Sequence, residues 1–120
     1  MASLPIEHIR MRDGFEVPWT QTLEDFGAVL ASTIGLPEFE YDSENVYEWG
    51  QTLAENGLVE VNISREHGWL DAPDENAPGE NISITLMVSK NAPIEWGKQW
   101  MSDYLLSQYV EAVDAIKTMQ

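Results

Sequence analysis

At 120 residues, with no cysteine and a formal net charge of −15, this chain rules out several functions before any motif is read. Nucleic-acid phosphates and anionic membranes would repel it, and without thiols it has no disulfide framework, thiolate metal site or cysteine nucleophile. The hydrophobic share of 43% is enough for a core, and the length suits one domain. Met1–His8 lacks a basic stretch leading into an apolar run, and no segment approaches the roughly 20 apolar residues of a membrane span. The expectation is a cytoplasmic protein with no cofactor.

In chain order, Ile6–Arg12 and Phe15–Trp19 flank Asp13-Gly14, a pair that predicts a β-hairpin. Thr22-Leu-Glu-Asp25 is a capping-box variant opening a helix whose stripe is Leu23, Phe26, Leu30 and Ile34, with Gly35 and Pro37 ending it. In residues 43–54, capped by Asp42 or Ser43, the spacing of Val46, Trp49 and Leu53 favours a second helix. Gly50 and the alternation of Val46-Tyr47-Glu48-Trp49 fit a strand instead. Val59–Arg65 and Ile82–Val88 alternate as strands, joined by the long, proline-containing, acidic connection Glu66–Asn81. Asn91-Ala-Pro93 starts a final helix reaching Met119, about 40 Å at 1.5 Å per residue. The order β-β-α-α-β-β-α predicts a single α+β domain over residues 1–120, a largely antiparallel sheet with helices packed on one face.

Catalytic chemistry finds little support. His8 and His67 are the only histidines. His67, near Ser64, Glu66 and Asp71, is the sole acid–base candidate, and packing or partner contact explains it more simply. His67, Asp71, Asp74 and Glu75 match neither zinc spacing nor a calcium-hand loop. The expectation is a non-enzyme without a metal site.

The distinctive feature is a block of carboxylates among aromatics, residues 36–53. Between Arg12 and Arg65 there is no Lys or Arg, against eleven Asp and Glu. Such imbalance costs self-repulsion, which a cationic partner relieves. Solubilising decoration is the plain alternative. The candidate contact residues are Glu38, Glu40, Asp42, Glu44, Tyr47 and Glu48, joined by Trp69, Asp71, Asp74 and Glu75 of the long connection. In this reading Tyr47 and Trp69 anchor while the carboxylates steer and pair.

Leu23-Glu-Asp-Phe-Gly-Ala-Val-Leu30, Ile34-Gly-Leu-Pro37 and Asp42-Ser-Glu-Asn45, with Trp49 and Leu53, resemble barstar, a ribonuclease inhibitor, over about 30 residues. The resemblance implies that Glu44-Asn45 opens an inhibitory helix. The two acidic positions that plug the nuclease fall on Tyr47 and Gln51, so those roles do not carry over. Across the whole chain, including Asn62-Ile-Ser-Arg-Glu-His67, the sequence resembles bacterial immunity proteins of polymorphic and contact-dependent growth inhibition systems. This implies an antitoxin, monomer or weak homodimer, that binds a basic toxin, possibly a nuclease. The helix-Gly-Leu-Pro opening and acidity also resemble secretion chaperones, which implies the alternative of an adaptor binding an effector protein.

Overall fold

The structure, a computed structural model, describes residues 6–19, 21–44, 47–66 and 81–118. His67, Trp69, Asp71, Asp74 and Glu75, and with them the candidate sites on the long connection, lie outside the described residues, as do Asn45 and Val46. Five strands form one antiparallel sheet in the order β1-β5-β4-β3-β2. They are β1 Ile9–Pro18, β2 Glu40–Glu44, β3 Tyr47–Ala54, β4 Val59–Glu66 and β5 Asn81–Ser89. Strands β2 to β5 are a meander, and β1 closes the far side against β5. The α+β class and the antiparallel sheet agree with the sequence reading; the element order does not, being β-α-β-β-β-β-α.

Helix α1, Leu23–Ile34, forms where expected. The Thr22 hydroxyl accepts the Asp25 N–H at 3.1 Å, and Gly35 takes a left-handed φ of 85° at the C-terminal cap. Its buried side carries Leu23, Phe26 and Leu30. These meet Val59, Val61 and Ile63 of β4 and Ile82, Ile84, Leu86 and Val88 of β5 in the core. Trp19 ties the end of β1 to this helix: its ring meets Phe26 edge-on at 5.1 Å and its indole N–H donates to the Thr22 carbonyl.

Three expectations are corrected. Asp13-Gly14 is not a turn but the middle of β1, which pairs with β5 through Val17↔Ile82, Phe15↔Ile84 and Met11↔Val88. The Asp13 carboxylate accepts the Gly14 N–H, and a Cβ at Gly14 would sit 2.2 Å from the Ile84 carbonyl oxygen. The glycine therefore serves a close backbone approach, its usual meaning inside a strand. Residues 43–54 are not a helix: Glu44 pairs with Tyr47 and Asp42 with Trp49, making a hairpin of β2 and β3. Gly50, a weak helix residue, lies under the Tyr41 ring. The helix that the barstar-like resemblance implies after Glu44 is thus a strand.

The C-terminal helix starts later than Pro93. Pro93 lies in a turn closed by the Trp96 N–H on its carbonyl, and Arg10 donates to the carbonyls of Ala92, Pro93 and Trp96. The helical run is α2 Lys98–Trp100, a π-helical segment Met101–Leu106, and α3 Ser107–Thr118. Leu105, Tyr109, Ala112, Val113 and Ile116 bury its inner side.

Candidate partner-binding surface

The candidate surface is built on β2, an edge strand. Alternate residues of a strand share a face, so Glu40 and Asp42 stand on one side of β2. Directly across lie Gln51, Trp49 and Tyr47 of β3, and beyond them Asn62 and Ser64 of β4. Thr52 and Gly50 face Val61 and Ile63 in the core, so this row belongs to the opposite face of the sheet, away from the helices. Glu40 and Asp42 are exposed, and Tyr47, 43% exposed, leans on Trp49 with ring centroids 5.7 Å apart. The Asp42 carboxylate accepts its neighbour's N–H, that of Ser43, at 2.8 Å.

The expected contact set divides at this strand. Glu40, Asp42 and Tyr47 share the outer face, and the side chain of Glu44 lies outside the described part of the structure. Glu48 points the other way, half-buried, with Ser43 and Arg65 as its cross-strand neighbours. Arg65 is 4% exposed and donates to the carbonyls of Gln21 at 2.6 Å and Trp19 at 2.5 Å. Burial lowers the pKa of its guanidinium, and the Glu48 charge opposes that shift. Glu48 therefore supports an internal clamp. Arg65 is also the only Lys or Arg between Arg12 and Lys90, so the sole base of that run is spent inside.

Beside β2, toward α1, lies a groove of about 420 Å³ rimmed by Glu24 and Glu38 and floored by Gly27, Ala28, Phe39 and Tyr41. Tyr41 is the centre of this part. Its ring fills the space left by two glycines: a Cβ would meet its hydroxyl at 2.0 Å from Gly27 and its ring at 2.7 Å from Gly50. The Tyr41 hydroxyl donates to the Glu24 carbonyl at 3.4 Å, yet the residue stays 39% exposed. Burial, then the charges of Glu24, Asp25 and Glu38, push the Tyr41 pKa up to about 12. Burial is the larger cause, and the three carboxylates add to it. Sequence reading placed Tyr41 in the acidic block without selecting it, and took Glu24 and Asp25 only as helix-start residues. The signal available was Gly27 and Gly50 in otherwise regular elements.

Carboxylates beside aromatic rings, with no base among the described residues that line the groove, suit the chemistry of holding guanidinium or ammonium groups. Among the described residues no group of three or more His, Asp or Glu is placed to hold a metal ion, and no helix is long and apolar enough to cross a membrane. No known protein family, curated protein or solved structure matches the chain.

Proposed function

We propose that this chain is a bacterial immunity protein that binds a cationic toxin domain, a nuclease being the toxin class its charge suits best, and neutralises it by steric and electrostatic blocking. One observation carries the reading. Glu38 rims a tyrosine-floored groove at a sheet edge and the exposed Glu40 and Asp42 stand on the other face of the same edge strand, while the next base along the sequence, Arg65, is buried. A nuclease is cationic because its substrate is anionic, and an acidic face both steers its approach and occupies its basic site. Tyr47, Trp49 and Tyr41 supply the aromatic anchors, and the carboxylates supply pairing and speed. Such a protein acts in the cytoplasm, where the toxin arrives.

The test is co-purification from the native host, followed by protection assays with the captured toxin. Wild-type chain should protect cells, and the triple reversal Glu38→Lys, Glu40→Lys and Asp42→Lys should abolish protection while the variant stays folded. Full protection by that variant would remove this surface from the function. A stable homodimer holding an extended, non-toxic effector segment would favour the chaperone reading instead.

A further inference from the structure

At the end of the sheet away from the β2–β3 loop, α1, the β3–β4 turn and the C-terminal helix enclose a second cleft of about 520 Å³. Its lining is half apolar, from Ile34, Leu36, Leu53 and Leu105, and half polar, with Asn56 and Gln108, and includes Tyr109, 1% exposed. Among the described residues Glu55 is its one charged lining residue. Burial first, and the Glu55 charge second, raise the pKa of the Tyr109 hydroxyl, so that carboxylate acts on the interior of the cleft. The C-terminal end of α1, at Ile34 and Gly35, adds the negative pole of a helix dipole. Glu55 also holds a φ of 52° and its neighbour Asn56 one of 58°, in a turn where glycine would sit more easily than glutamate.

We infer that this cleft is a binding site for a small organic cation with an apolar body, of the alkylammonium class. The ammonium pairs with Glu55 at the α1 terminus, and the hydrocarbon lies along Leu36, Leu53 and Leu105. The volume falls in the range of small-ligand sites and exceeds what one amino-acid side chain would fill. The site is separate from the acidic β2 edge: none of Glu38, Glu40 and Asp42 lines it. It therefore stands or falls independently of the toxin-binding reading.

The experiment is a titration of the full chain with n-hexylammonium, followed by amide chemical-shift mapping, with hexanoate and hexanol as matched probes. Hexylammonium should give saturable shifts confined to residues 34–37, 53–57 and 105–109, and hexanoate none. Glu55→Gln should weaken binding by about tenfold, Glu55→Asp should retain most of it, and Glu16→Gln, an exposed acid on β1, should leave it unchanged. Equal response to hexylammonium and hexanol, equal affinity in Glu55→Gln, or shifts gathered on β2 would each overturn the assignment.

Discussion

At the β1 edge of the sheet stand Arg10 and Arg12; at the β2 edge, four strand spacings or roughly 19 Å away, stand Glu40 and Asp42 with Glu38 beside them. Each side is tied down by an arginine gripping backbone carbonyls, but in different surroundings. Arg10 holds Ala92, Pro93 and Trp96 at the surface, whereas Arg65 holds Trp19 and Gln21 in the interior. The base at the first edge remains partly available to solvent. Near the second it is consumed internally, and the carboxylates outside keep their charge. On β1 the exposed acids Asp13 and Glu16 thus stand beside Arg10 and Arg12, whereas β2 and β3 carry acids and no base.

The sharpest way to break this comparison is to remove each clamp. Arg65→Met should cost about 3 kcal/mol or more, because Glu48 loses its buried counter-charge and two carbonyls lose their donor. Arg10→Ala should cost only about 1 kcal/mol, since its carbonyls can turn to water. Urea unfolding measures both, and equal costs would mean that burial does not separate the two clamps.

The glycines offer the next contrast. Gly14→Ala drives a methyl into the Ile84 backbone and should cost about 2–3 kcal/mol, since β1 and β5 must part. Gly27→Ala meets the far end of the Tyr41 side chain, which can swing aside, and should cost about 1 kcal/mol. In a Tyr41→Ala background most of that cost should disappear, leaving only the contact with Ile63 at 3.1 Å. A double-mutant cycle checks this, and strict additivity would show that Tyr41 does not rest on Gly27. In the opposite direction, Glu55→Gly should stabilise the protein by about 1 kcal/mol by relieving a left-handed glutamate, read as a raised melting temperature.

The smallest effect is on alkaline stability. Folding raises the Tyr41 pKa from 10.0 to about 12, so the folded state holds its proton more tightly than the unfolded chain does. That contribution is complete below pH 10 and is lost as pH climbs toward 12. Tyr109 shifts in the same direction. Unfolding followed across this window should show a declining stability whose slope is shallower in Tyr41→Phe, and an unchanged slope would contradict the raised pKa of the Tyr41 hydroxyl.

How much could be read from the residues depended on whether the local signal had a rival. Helix α1 was legible in full, because Thr22, the apolar spacing and Gly35 all agree. Strands β4 and β5 were legible from alternation alone. Asp13-Gly14 misled because the pair favours a turn locally, while pairing along β5 uses the glycine for approach. Here the odd-numbered phase of Met11, Phe15 and Val17, unbroken across the pair, was the better guide. Residues 43–54 satisfied two periods, and the β4 partner decided between them. Of the acidic set, the outer placement of Glu40 and Asp42 followed from strand alternation once β2 was a strand. The inward turn of Glu48 and the role of Arg65 depend on contacts between distant elements and had no local signal.

The account's central claim is tested most directly by the association rate between this chain and its captured toxin, measured across ionic strength for wild type and for the Glu38→Lys, Glu40→Lys, Asp42→Lys variant. The wild-type rate should fall steeply with salt, and the variant should associate about tenfold or more slowly at low salt, with little salt dependence left. Identical rates and identical salt slopes for the two proteins would contradict a docking face at the β2 edge.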